Sequence, residues 1–132
     1  MGWRVEARFD GTPEAVAAAR QFVVAALAAW DLDDLAEVAQ ICTSEAASNA
    51  IRHARSTFRL LVQADAIEVV VRVEDHGPGI PWLRPIDPNS EHGRGMWLIS
   101  SLASRWGWEP VDRGKAVWFV VTRGSGPLAC SP

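Results

Sequence analysis

The chain has 132 residues, 48% of them apolar and 22% charged, with a formal net charge of −3. Such a composition describes one globular domain long enough to bury a core unaided. It excludes a disordered tail and the strongly basic surface that a nucleic acid would require. The two cysteines, Cys42 and Cys130, lie far apart without CxxC or Cys/His spacing and read as reduced thiols rather than zinc ligands.

The opening residues, "MGWRVEARFDG", contain no basic segment followed by an apolar run, and nowhere do 18 apolar residues occur without charges. Neither a secretory signal nor a membrane span is expected, which predicts a cytoplasmic protein. Trp3 to Phe9 alternates apolar and charged side chains with period two, the pattern of a strand with one wet face. Thr12 as N-cap, Pro13 at the first helical position and Glu14 in the first turn then predict a helix through the alanine-rich run to Ala29. A second helix is predicted from Asp33 or Asp34 to about His53, after a short "DLDD" connection.

Phe58 to Ala64 and Ile67 to Glu74 are rich in β-formers and separated by a short "DA" link, which predicts an antiparallel hairpin with Val69, Val71 and Val73 on one face. From Asp75 to Gly95 glycine and proline recur without apolar period, a long irregular connection of the kind that usually carries function. Helical spacing resumes over Met96 to Trp106, and Trp108 with Val117 to Thr122 reads as the last strands. Trp106, Trp108 and Trp118 are expected in the core and Trp82 and Trp97 beside the connection. The tail from 124 to 132 is expected to fray. This order predicts a single domain over 1–132 of the α+β class, a two-layer sandwich with helices on one face of a mixed, mostly antiparallel sheet.

Three stretches carry residues suited to chemistry. In "SEAASNAIRHA", Glu45, Asn49 and His53 recur every four residues, so Glu45 and Asn49 project from one helix face about one turn, roughly 6 Å, apart. Either the stripe faces water, as charged residues mostly do, or a partner offsets its desolvation. In "VEDHGPGIP", Asp75 closes a strand and precedes Gly77 and Gly79. The segment is a plain turn, or a place where a flat ligand approaches the backbone while Asp75 accepts a hydrogen bond from it. In "EHGRGMWLI", Gly93 and Gly95 stand before a helix with Arg94 between them, a generic but weakly specific phosphate site. A metal site built from Glu45, His53, His76 and His92 lacks any HxxxH pair, and Ser44 with His53 lacks a nucleophile elbow.

In this order and at these separations the three stretches resemble the N box, G1 box and G2 box of the histidine-kinase-type ATPases of the Bergerat fold. That fold is shared by DNA gyrase, sensor histidine kinases and anti-sigma factor kinases. The chain is similar to the stand-alone anti-sigma kinase branch from about residue 5 to residue 122. The resemblance implies ATP and Mg²⁺ as cofactors, with Asn49 as the one protein ligand of the metal and Glu45 as general base. It implies Asp75 binding the adenine amino group, with Gly77, Gly79 and Ile80 at the ring, and Gly93, Arg94, Gly95 and Met96 at the phosphates. Residues 80 to 92 would form the lid. The implied activity is that of a serine/threonine protein kinase which phosphorylates a small anti-anti-sigma (STAS-type) protein and sequesters a sigma factor. It implies no direct contact with nucleic acid or membrane, and a homodimer in some relatives. The alternative is a nucleotide-gated regulatory binding module that transfers no phosphate. Two departures stand out. Ala116 lies where members of the family often carry a threonine that helps hold the adenine site, and no phosphoacceptor or sensor domain is expected before the ATPase region, an architecture unlike that of a two-component histidine kinase.

Overall fold

A computed structural model describes residues 2–54, 57–76 and 91–124. The elements run β1 (Trp3–Phe9), α1 (Pro13–Ala29), a single 3-10 turn (Asp33–Leu35), α2 (Ala36–Ala54), β2 (Phe58–Ala64), β3 (Glu68–Asp75), α3 (Glu91–Leu102), β4 (Arg105–Val111) and β5 (Gly114–Thr122). The five strands form one sheet in the order β1-β2-β3-β5-β4, and every pairing among the described residues is antiparallel. The expected α+β sandwich is therefore present, without the parallel pairing that a mixed sheet would include.

Period two along the strands divides the sheet into two faces. Phe58, Leu60 and Val62 of β2, Val69, Val71 and Val73 of β3, and Val117, Phe119 and Val121 of β5 form the apolar face. The helices cover it: α1 contributes Ala15, Ala19, Val23 and Leu27, and α2 contributes Ala39, Cys42, Ala46, Ala47 and Ala50. Small side chains at four-residue spacing bring the two helix backbones close, and the valines and phenylalanines of the sheet fill the layer beneath. The opposite face is a ladder of charges, in which Arg59 pairs with Glu74 at 3.4 Å, Arg72 with Glu74 at 2.6 Å and Arg72 with Glu109 at 2.5 Å. Leu61 and Val120 are buried on that side as well.

Several expectations need correction. Thr12 occupies the N-cap of α1 with extended backbone, but its side chain makes no capping hydrogen bond; its carbonyl accepts from the Ala15 N–H at 3.0 Å instead. The second helix opens as a 3-10 turn before becoming α-helical at Ala36. The hairpin turn is held by Asp65, whose Oδ1 accepts the backbone N–H groups of Ile67 (2.8 Å) and Glu68 (2.9 Å), so β3 starts one residue later than Ile67. These two hydrogen bonds hold the Asp65 carboxyl below its usual range.

The third helix begins at Glu91, not Met96, and ends at Leu102, so that Arg105 and Trp106 belong to β4. Glycine disfavours a helix by only about 1 kcal/mol relative to alanine, so Gly93 and Gly95 do not bar one. The alternation of Trp106 with Trp108, both packed against the core cluster, is strand periodicity. Trp118 lies on the charged face rather than in the core. Its indole covers Gly107, where a Cβ would approach the ring carbon Cζ2 to 2.6 Å. Trp97 is 46% exposed, and Trp82 lies outside the described residues.

Candidate functional site

Two rows of core-facing side chains end at the same edge of the sheet. On β3 the row is Val69, Val71, Val73 and then Asp75; on β5, read toward its start, it is Val121, Phe119, Val117 and then Lys115. The register pairs Val73 with Val117 and Glu74 with Ala116, and one further step brings Asp75 beside Lys115. Nζ of Lys115 donates to Oδ2 of Asp75 at 2.7 Å, and the Lys115 backbone N–H reaches Oδ1 at 3.3 Å. The two side chains are only 8% and 6% exposed. A carboxylate and an ammonium are thus kept at the end of an apolar layer, where each is tolerated because the other is present.

Gly114 makes this approach possible. A Cβ at that position would collide with the Asp75 carbonyl oxygen and stand 2.5 Å from its Oδ1. Beside the pair, His76 has its Nε2 buried without a hydrogen-bond partner among the described residues.

Helix α2 packs across β3 and β5 and carries the polar stripe. Glu45 and Asn49 are both half-buried, flanked by the buried Ala46, Ala47 and Ala50. The stripe therefore neither faces open water nor enters the core; it runs along the border between them. Burial, reinforced by the negative charge of Glu45, pushes the Cys42 thiol one turn earlier up to about 12, so that thiol is inert as a nucleophile. The Ser44 hydroxyl donates to the Gln40 carbonyl at 2.9 Å and accepts from Arg20 at 3.2 Å, a helix-to-helix tie. His53 lies in the last turn of α2.

The other anticipated residues divide into two groups. Gly77, Gly79 and Ile80, with the lid as far as residue 90, lie outside the described residues. Gly93, Arg94, Gly95 and Met96 fall inside α3 rather than before it. Gly93 and Arg94 are among the first four residues of that helix, the positions whose N–H groups a helix does not satisfy within itself; Gly95 is the fifth.

Lys115 is the residue that sequence reasoning missed. The signal was present in "KAVWFVV", where a lysine stands in phase with Val117, Phe119 and Val121. The same periodicity sets Ala116 on the other face. That residue is fully buried but points to the charged face opposite Glu74 and Glu109, away from Asp75. The absence of a hydroxyl at 116 therefore removes no contact to Asp75, and position 115 is the one that meets it.

Among the described residues no three His, Cys, Asp or Glu side chains gather as a metal cage, and no helix is long and apolar enough to cross a membrane. A comparison with protein families matches residues 9–121 to the histidine kinase-like ATPase domain. A comparison with curated proteins finds no match.

Proposed function

Since the chain belongs to the histidine kinase-like ATPase domain family, we propose that it is an ATP-dependent serine/threonine protein kinase of the anti-sigma type. Its phosphoryl acceptor would be a hydroxyl of a small anti-anti-sigma (STAS-type) protein, and its second partner a sigma factor that it sequesters. The observation that carries the nucleotide reading is the buried Asp75 carboxylate, held at a sheet edge with acceptor capacity to spare. Its two oxygens offer about four lone-pair sites and receive two hydrogen bonds.

The donor set fits a magnesium nucleotide. Asn49 supplies one neutral oxygen, and Mg²⁺ takes most of its remaining ligands from water and phosphate rather than from a protein cage. When bound, the metal would offset the charge carried by the transferring phosphoryl group. Glu45, one turn before Asn49 on the same face of α2, would take the proton from the attacking hydroxyl. Asp75 would orient the base, and the N–H groups of the first turn of α3, those of Gly93 and Arg94 among them, would meet the phosphates. Gly77, Gly79 and Ile80 would lie at the ring, with Gly95 and Met96 beside the phosphate end.

The test is to incubate the protein with γ-labelled ATP, Mg²⁺ and a STAS-type protein from its own source. Label on a serine or threonine of the partner is the expected result. A partner that binds in a nucleotide-dependent way and stays unlabelled would replace the kinase by a nucleotide-gated binding module.

A further inference from the structure

Strand β1 is the outer strand of the sheet, and among the described residues no strand pairs with its free side. Such an edge is open to a further strand unless something blunts it, as a proline does. The opposite edge strand, β4, carries Pro110; β1 carries no proline, and its side chains follow a self-complementary order. Arg4, Glu6 and Arg8 are exposed on the charged face of the sheet, and Val5, Ala7 and Phe9 alternate with them on the helix face. Within the chain Glu6 meets Arg4 only at 3.8 Å and Arg59 only at 3.9 Å. Arg8 and the exposed Asp10 have no ion-pair partner among the described residues.

Two copies of β1 can pair antiparallel about a two-fold axis normal to the sheet, which keeps both helix layers on one side. Residues directly opposite then share a face, and like charges there repel. An axis through Glu6 sets Glu6 against its own copy and Arg4 against Arg8. An axis through Val5 matches Arg4 with Glu6 but leaves Arg8 facing Gly2. With the axis through Ala7, Glu6 faces Arg8 of the second copy, Arg4 faces Asp10 and Val5 faces Phe9, and symmetry makes each contact twice. Only this register of the three gives Arg8 and Asp10 opposite charges, and it puts a small side chain on the axis.

Helix α1 presents a second, separate observation. Phe22 meets Phe9 edge-on and Trp30 stacks on Trp3, so the helix runs back above β1 with Ala25 between those contacts. From Ala15 to Ala29 its one charge is Arg20, which is turned to Ser44 of α2. The exposed Ala18, Ala25 and Ala29 share the side of Phe22, so the flank above the free edge carries no charge. A helix apolar on all sides belongs in an interior. α1 packs on both β1 and β2, and strands lie about 4.8 Å apart. Seated between them, the helix stands about 5 Å from the axis and about 10 Å from its copy, within helix-packing distance. We infer that the chain forms a two-fold homodimer in which β1 pairs with β1 about Ala7 and α1 packs on α1.

The experiment is sedimentation equilibrium of the full chain and of charge-reversal variants, each checked for native circular dichroism. At about 100 µM, where an interface of micromolar affinity is filled, the wild-type protein is expected to have twice the mass of one chain. Glu6→Arg and Arg8→Glu each set like charges opposite one another twice, and each is expected to weaken the dimer at least about tenfold. The double variant Glu6→Arg/Arg8→Glu restores opposite charges about Ala7 and is expected to return to within about threefold of wild type. In the register about Val5 the same double variant would face Arg4 with an arginine, so recovery also identifies the axis. If Glu6→Arg fails to fold, Ala25→Arg, which charges the flank of α1, is read as the weakening variant. A monomer at 100 µM overturns the inference, as does a dimer that the single variants leave unchanged or that the double variant fails to restore.

Discussion

Gly114 lies directly against Asp75. The backbone of β5 passes the end of β3 so closely that a Cβ on Gly114 would meet both the main-chain oxygen and the carboxylate of Asp75. Real Cβ atoms do not make contacts this short, and the main-chain oxygen cannot rotate away. Gly114→Ala is therefore expected to destabilise the fold by at least about 1–3 kcal/mol, the usual cost of overpacking. It should also weaken nucleotide binding more than tenfold by displacing Asp75. Urea unfolding and nucleotide titration check the two effects; an unchanged midpoint would show that the strand ends separate freely.

Removing one partner of the buried pair should cost more than removing both. Lys115→Ala leaves an uncompensated carboxylate 6% exposed, for which a loss of about 3–5 kcal/mol is expected. The double variant Asp75→Asn/Lys115→Met removes both charges and should be less destabilised than the sum of its single variants. A double-mutant cycle by chemical denaturation measures this, and strict additivity would mean that the two charges do not interact.

Glu45 and Asn49 are predicted to separate by function. Glu45→Ala should lower phosphoryl transfer about 100-fold or more, the range of general base catalysis, while ATP still binds. Asn49→Ala should lose the magnesium-dependent part of nucleotide affinity. Single-turnover transfer and titration with and without Mg²⁺ distinguish the two; unchanged transfer by Glu45→Ala would remove its role as base.

The stability of the protein should fall at alkaline pH through Cys42. Its thiol is raised from an ordinary value of 9.0 to about 12 in the folded chain. Above pH 9 the unfolded state ionises while the folded state retains its proton. The stabilisation is thus complete below pH 9 and is lost as pH rises toward 12, by about 2–3 kcal/mol at pH 11 from a shift of this size. Comparing wild type with Cys42→Ala between pH 8 and pH 11 isolates the effect. Parallel stability curves would show that the thiol ionises equally in both states.

Much of this fold can be read along the chain because local periodicity sets it. Alternation in "WRVEARF", "FRLLVQA" and "EVVVRVED" specifies strands and assigns each residue to a face. Proline at 13, together with alanine, valine and leucine at helical spacing, specifies α1 and its buried side. The spacing of Glu45 and Asn49 on α2 sets them on one face but left open whether that face meets water; their half-burial came from the packing of α2 on the sheet. The helix start at Glu91 was less legible, because the glycines at 93 and 95 suggest an irregular backbone while costing a helix little.

What only the tertiary structure decided was which ends of these elements meet. Asp75 and Lys115 are separated by 40 positions, and each, taken alone, is a charged residue beside a turn, most simply solvated. Strand order places β5 next to β3, the register brings the two ends level, and Gly114 lets the backbones close together. The lysine then meets Asp75, whereas Ala116, one position along, lies on the other face opposite Glu74. Sequence determined the elements and their faces, because those depend on neighbours a few residues away. The pairing of strands depends on burial shared across the whole sheet, and it turned two isolated charges into one buried donor and acceptor.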